Sequence, residues 1–389
     1  MRPKNSVLSG LDVLLTEELD RLKGLRVGIV CTHSAITRDL EHITQALDEA
    51  GVNIVGLFGP EHGVRGDAAD GAEIDDAVDP RLGVPVYSLY ARTMTPTPEM
   101  LEGLDVMLID IQDVGARFYT FPYTMAYVMG ACGRNGVKVW VLDRPNPIGG
   151  LGFEGPILKP EFSSFVGLFA TPVRHGFTTG ELARLFRAKF AMECDLHVVK
   201  LKNWTREMWY DETGLPWVLP SPNFSSLDTA AVYTGTCYFE GTNVAEGRGT
   251  VKPFEIFGAP WIDAQELRKE MMSYDLPGVM YREAHFTPTS AKFAGELCSG
   301  LQFYVTDRNA FKPVLTGLAA VGAIRKLYPD DFAFRPPADG RYFFDLHAGC
   351  SWVREMIDAG ACPWDIEKRW QDELAEFVDD VKSGEIMLY

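Results

Sequence analysis

NIVGLFGPEHGVRGD, residues 53–67, decides the fold. Its first seven residues carry no charge and form a compact, strand-like run, the pattern of a β-strand covered on both faces. The run stops at Gly59-Pro60, and Glu61, His62 and Arg65 follow at once among glycines. Open parallel sheets bind ligands outside the carboxyl ends of their strands. An acid, an imidazole and a guanidinium set directly after a buried strand therefore mark that rim as the place where a site is built. The glycines and the proline permit a sharp turn there, so that backbone can approach a ligand closely.

Working outward, the first 150 residues repeat the same alternation. RVGIVCT (26–32), PVYSLY (85–90), DVMLIDI (105–111) and KVWVLD (138–143) are further strands. RDLEHITQALDEAG (38–51) has helical spacing, with Leu40, Ile43 and Leu47 on one stripe. TPEMLEGL (97–104) reads as a short helix and YTMAYVMGACGRNG (123–136) as a longer one. Apolar strands alternating with helices predict an α/β fold, a Rossmann-like doubly wound parallel sheet over residues 1–155. CTHSAIT stands where a dinucleotide-binding fold carries G-x-G-x-x-G, so the architecture alone implies no nicotinamide or flavin. Beyond residue 155 aromatics, prolines and glycines thicken. A capping box, Thr178 with Glu181, opens a helix at LARLFRAKF. DLHVVKL and LQFYVTD read as strands, FKPVLTGLAAVGAIRKLYP and the last 25 residues as helices. Residues 156–389 are expected to form a second α/β domain with long ordered loops.

A length of 389 residues favours two domains. The formal charge of −17 provides no positive field for nucleic acid, while leaving room for a local basic pocket. No 18-residue apolar window is present, so no membrane span is expected. MRPKNSVLSGLDVLL lacks a secretory pattern, and a cytoplasmic location is expected unless the chain begins further upstream. The seven cysteines are scattered and never spaced C-x-x-C. Neither a disulfide framework nor a zinc site is expected, and buried thiols in a reducing compartment are.

The residues after each strand should converge on one edge: His33 and Ser34; Glu61, His62 and Arg65; Tyr90; Asp110, Gln112, Asp113 and Arg117; Asp143, Arg144 and Asn146. Glu61 has no helix to cap and no partner within its stretch, which favours chemistry. His62 fits an orienting role. Asp110 and Asp113 fit chemistry or loop support equally, and DRPNP (143–147) a rigid turn with a local ion pair. The second domain contributes Glu240, Asn243, Glu246 and Arg248 in a loop of small residues. Trp217, Tyr238 and Phe239 are candidates to stack on a sugar or to fill the core.

GLDVLL, LFGPEHGVRGD, PTPEMLEGLDVMLIDIQDVGARFYTF, VLDRPNPIGG, RHGFTTGELA, GLPWVLPSPN, GTCYFEGTNVAEGRGT, PFEIFGAPWID and FTPTSAKFAGE occur in order between residue 10 and residue 320. Together they resemble the exo-β-N-acetylmuramidase NamZ family, formerly a family of unknown function. The resemblance implies an active-site cleft between the two domains. It implies hydrolysis of the β-1,4 bond after a non-reducing-end N-acetylmuramic acid of peptidoglycan fragments; that no metal or nicotinamide cofactor is needed is expected from the absence of either motif. It also implies that Glu61, the glutamate of GPEHG, is catalytic.

Glycoside hydrolysis usually needs two carboxyl groups. Glu61 serves as the acid if burial, by Phe58 or a facing aromatic, raises its pKa. For the second group Asp110 and Asp113 share its rim, and Glu240 and Glu246 reach from the other domain. The latter two are favoured because a site between domains draws on both. The substrate's own acetamido group is a further alternative. The lactyl carboxylate of N-acetylmuramic acid calls for an arginine, and Arg65, Arg117 and Arg248 are the candidates. His62, Asp113, Tyr119 and Asn243 complete the expected substrate-binding set. Two competing readings are a metal-dependent hydrolase using His33, Asp110 and Asp113, which lacks a dense ligand motif, and a catalytically silent binder of cell-wall sugars.

Overall fold

A computed structural model describes residues 6–66, 77–90 and 93–389. The short helix α1 (Gly10–Val13) precedes a sheet built from β1 (Arg26–Cys31), β2 (Asn53–Gly59), β3 (Ala77–Val78), β4 (Pro85–Ser88), β5 (Val106–Asp110), β6 (Lys138–Leu142) and β7 (Leu196–Val199). Between these strands run α2 (Ile43–Glu49), α3 (Pro98–Leu101), α4 (Phe121–Arg134) and α5 (Thr179–Lys189). The remainder comprises α6 (Leu227–Thr236), β8 (Ile256–Ala259), α7 (Ala264–Ser273), β9 (Val279–Phe286), β10 (Cys298–Val305), α8 (Pro313–Leu327), α9 (Phe343–Ala348), α10 (Trp352–Asp358) and α11 (Pro363–Ser383).

The large sheet has the order β3-β4-β2-β1-β5-β6-β7, parallel throughout except for the β3–β4 edge pair. Its strands are apolar because both faces are covered. In β5, Val106 and Leu108 enter one core with Val27, Ile29, Leu57 and Trp140. Met107 and Ile109, pointing the other way, join Val30, Phe58, Val139 and Val141 in a second core. That second core does not end with the sheet. It runs without a break into Leu267, Leu301, Leu318 and Trp370 of the later chain. There β8, β10 and β9 make a small antiparallel sheet in the order β8-β10-β9.

Two expectations change. The stripe Leu40, Ile43, Leu47 does not make one helix. His42 takes extended backbone and its ring accepts from the Thr44 amide, so α2 starts at Ile43, and Leu40 sits exposed in a turn with φ of 68°. The strand in DLHVVKL, assigned by sequence to the second domain, pairs in parallel with β6. Helix α5, opened by the expected Thr178–Glu181 capping box, is the crossover that returns the chain to the sheet edge. The large sheet therefore continues past residue 155.

The crevice between β1 and β5, where the strand order reverses, is filled by protein. Arg144 holds Asp110 with two bonds of 2.6 and 2.8 Å and donates to the Ile36 carbonyl at 2.8 Å. Both side chains are buried, so Asp110, a catalytic candidate from sequence, stands as a structural partner away from any cleft. The ion pair in DRPNP is likewise not local. Asp143 instead accepts from the Gly180 amide, the Thr178 hydroxyl and the Tyr389 hydroxyl, tying the start of α5 and the final residue to the sheet. Asp113 accepts from the Gly115 amide at 2.7 Å and lies 3.3 Å from His175.

Removing one member of a buried ion pair leaves the other charge unpaired and typically costs ~3–5 kcal/mol. Asp110→Ala should lower unfolding free energy by about that much, and adding Arg144→Met should restore part of it. Urea unfolding of the single and double variants measures this; an Asp110→Ala chain as stable as wild type would remove the pair from the account of the fold.

Candidate active site

The turn after β2 is wound as tightly as its sequence suggested. A Cβ at Gly59 would stand 2.7 Å from the Val64 amide nitrogen, and one at Gly66 would enter the His33 ring. Between them His62, a non-glycine residue, holds a left-handed φ of 72°. Such backbone is uncommon for a side chain of this size and recurs at functional sites. His62 is buried, its ring edge-on to Phe121, and the strain leaves Glu61 facing a cavity of about 1040 Å³. Glu61 is half-buried, and its Oε2 accepts from the Thr120 hydroxyl at 2.7 Å.

The first wall of the cavity is Glu61-His62 together with Phe118, Tyr119 and Thr120. These three residues are placed by their neighbour Arg117. Its guanidinium is buried and donates to the carbonyls of Pro156 (2.8 Å), Thr171 (2.6 Å) and His347 (2.8 Å). Arg117, a candidate for the lactyl carboxylate, is thus occupied behind the wall and does not line the cavity.

The second wall comes from the other half of the chain. A tight turn at Cys237–Gly241 presents Glu240, and the following loop presents Glu246 and Arg248. Arg248 binds Glu240 and also Glu246, the latter at 3.1 Å, and its guanidinium lies over the Phe254 ring. Lys292 donates to Glu246 at 2.9 Å and to the carbonyls of Phe239 and Val244 at 2.7 and 3.0 Å. The two glutamates differ in environment. Burial pushes Glu240 above the ordinary carboxylate range, against the pull of Arg248. Burial acts the same way on Glu246 but is outweighed by Lys292 and Arg248, which hold it below. Aromatic contacts join the walls: Phe118 to Tyr233 and His347, each at 5.3 Å, and Tyr119 to Phe224 at 5.6 Å.

Of the residues singled out from sequence, the cavity gathers Glu61, His62, Tyr90, Tyr119, Glu240, Glu246 and Arg248. Asp110, Asp113 and Arg117 lie behind it. Asn243 staples its loop to the Asp331 carbonyl and the Ala333 amide. Arg65 is exposed and outside the lining, and Asp67 falls beyond the described residues. Tyr238 and Phe239 are core, and Trp217 packs on Tyr210. Thr120, Lys292, Arg335, Phe343 and His347 were missed. Thr120 stood beside candidates within the quoted GARFYTF stretch. Lys292 likewise stood within the quoted FTPTSAKFAGE stretch, with no candidate beside it; Arg335, Phe343 and His347 come later in the chain, where no local pattern marks them.

Among the described residues one group of three possible metal ligands occurs, Cys237, Glu240 and His347. It shares nothing with the trio His33, Asp110 and Asp113 considered from sequence. Burial first, and then repulsion by Arg117, Arg248, Lys292 and Arg335, together lower His347 to about 3. The same cations oppose a divalent ion there and favour an anion.

The exo-β-N-acetylmuramidase NamZ N-terminal family model matches residues 27–228, and the NamZ C-terminal model matches residues 231–389. The peptidoglycan β-N-acetylmuramidase NamZ of Bacillus subtilis strain 168 is 48% identical over 375 residues, 96% of this chain and 90% of the relative. A DUF1343 family protein of Bacteroides fragilis, solved by crystallography, superposes with a TM-score of 0.91 at 34% identity over the whole of both chains. A second from the same organism gives 0.77 at 30% identity over 98% of this chain and 99% of its own.

A histidine whose folded pKa lies below its unfolded value stabilises the fold above the unfolded value, and this contribution is lost as pH falls. For His347 the window runs from 6.5 down to about 3. The melting temperature of wild type should therefore fall more steeply between pH 6 and pH 4 than that of His347→Asn. Parallel slopes in a thermal-shift series would show that His347 does not titrate this way.

Proposed function

The chain belongs to the exo-β-N-acetylmuramidase NamZ family, and from this we propose that it is a glycoside hydrolase that releases N-acetylmuramic acid from the non-reducing end of peptidoglycan fragments, with Glu61 as the general acid. The observation that carries the assignment is the position of Glu61. It stands on the rim of β2, turned into the cavity by a strained turn, with one oxygen fixed by Thr120. A carboxyl held in this way keeps its second oxygen for the glycosidic oxygen of the substrate, to which it passes a proton as the bond breaks.

Glu240 is the better second carboxyl. A base is stronger the higher its pKa, and Glu240 is held above the ordinary range where Glu246 is held below it. Glu246 instead anchors Arg248 and Lys292, and so fixes the wall that carries Glu240. Glu240 then activates the water that completes hydrolysis, or positions the acetamido group if that group is the nucleophile. The aromatic lining, including Tyr119, Phe224 and Phe343, supplies apolar faces for sugar rings. All seven cysteines are free thiols, which fits a reducing, cytoplasmic compartment. No helix among the described residues is long and apolar enough to cross a membrane.

Glu61→Gln should keep the fold and lower kcat/KM on a chromogenic β-N-acetylmuramide at least about a hundredfold, within the ~10²–10⁴ typical of general acid catalysis. A correctly folded variant at wild-type rate would sink the assignment. Release of internal fragments from long glycan strands would overturn the end-wise action.

A base must be ionised to work, so a raised pKa moves the acid limb of the rate profile upward. The limb of kcat/KM should lie above 4.5, the ordinary glutamate value, and Glu240→Gln should lower the rate and abolish that limb. A limb unchanged in the variant would assign it to another group.

A further inference from the structure

The cations of the second wall are not equally engaged. Arg248 is shared between Glu240 and Glu246. Lys292 has three protons and three acceptors, Glu246 and the carbonyls of Phe239 and Val244, so its donors are spent. Arg335 is different. Its backbone is tied to the Gly241 carbonyl at 2.8 Å. Its guanidinium rests over the Phe343 ring, 5.0 Å from the centroid, and makes one long bond of 3.5 Å to the Glu240 carbonyl. Among the described residues it pairs with no carboxylate, although it lines the cavity and is exposed there.

Charge points the same way. On this wall Arg248, Lys292 and Arg335 face Glu240 and Glu246, three positive groups to two negative, so one positive charge is left over. We infer that Arg335 receives the lactyl carboxylate of the substrate and sets the preference for muramyl over glucosaminyl sugars. The inference rests on the muramidase reading above and adds to it the residue that reads the sugar.

The chemistry is suited to the task. A guanidinium presents a planar fork that holds both oxygens of a carboxylate, and stacking on an aromatic ring fixes its plane in advance. The aromatic face of Phe343 satisfies no N–H, so the donors on the guanidinium edge remain for a ligand. The backbone tie to Gly241 sets Arg335 beside Glu240 in the structure, so that recognising the acid side chain of the sugar and presenting the carboxyl that works on its bond fall to adjacent groups. The arginines favoured by sequence cannot take this part. Arg117 is buried against three carbonyls, Arg65 lies outside the lining, and releasing Arg248 would leave two buried glutamates to repel each other.

The test uses the full chain and two chromogenic substrates, the β-N-acetylmuramide and the same compound with its lactyl carboxylate converted to the carboxamide. The two differ in charge and hardly in shape. Wild type should prefer the carboxylate form. Arg335→Ala should lose about ten- to a hundredfold in kcat/KM on it, the worth of a charge-assisted hydrogen bond, with the loss mostly in KM and with a much smaller change on the carboxamide. Arg335→Lys should recover part of the preference, since it restores the charge without the fork. Competitive inhibition by free N-acetylmuramic acid should weaken in parallel, while that by N-acetylglucosamine holds. A wild-type preference kept intact in a folded Arg335→Ala enzyme would overturn the inference and leave the muramidase reading standing. A wild-type chain inert on both compounds would instead remove that reading, and the inference with it.

Discussion

A guanidinium buried without any carboxylate is the joint of this molecule. Arg117 lies in the interior and donates from its two terminal nitrogens to three backbone carbonyls drawn from residues 156, 171 and 347. Burial lowers its pKa, and nearby tyrosines offset this only in part. An arginine keeps its charge even so, and the carbonyls of Pro156 and His347 would lose this donor if it went, while that of Thr171 would keep the Leu158 amide. The three carbonyls belong to segments far apart in sequence, so one side chain fixes where the late chain lies against the early sheet. Phe118, Tyr119 and Thr120 follow it immediately and form the first wall. His347, whose carbonyl it holds, lies under the second. The spacing of the two walls is therefore set from behind by a group that touches neither the cavity nor anything in it.

The second wall shows how a low-dielectric site is organised before a ligand arrives. Glu246 is the hub, and it is kept ionised because Lys292 and Arg248 approach it from two sides. With Glu246 fixed, Arg248 is fixed, and with it Glu240. Preorganised charge of this kind has no reorganisation to undergo at the moment of reaction. On the opposite side the same end is met by backbone strain, with His62 in a left-handed conformation and its buried ring set edge-on to Phe121.

Much of this could be read from the sequence, and the part that could not has a physical reason. Strand β2 ends at Gly59, the last residue of the apolar run, and the fold class followed from the covered strands alone. Glu61 could be singled out because it stands among small residues with no partner within its stretch, whereas Glu240 was offered only together with Glu246, from a loop that also holds its partner Arg248. Asp110 and Arg117 looked the same from their neighbours and turned out structural. Their partners, Arg144 and the carbonyls of Pro156, Thr171 and His347, lie 34 to 230 residues away, and periodicity carries no information at that range. Lys292 and Arg335 could not be tied to the site for the converse reason, since only folding brings them to the Glu240 turn. The start of α2 was misplaced because His42 caps it, a role more often taken by a hydroxyl or an amide.

The seam between the two family segments, after residue 228 and before residue 231, falls inside helix α6, which runs from Leu227 to Thr236. The apolar core crosses that seam without a gap, and the Glu154 carboxylate accepts from the Leu315 amide across it. Cutting the chain at the seam would sever a helix and expose apolar faces on both sides, so neither segment closes a core of its own.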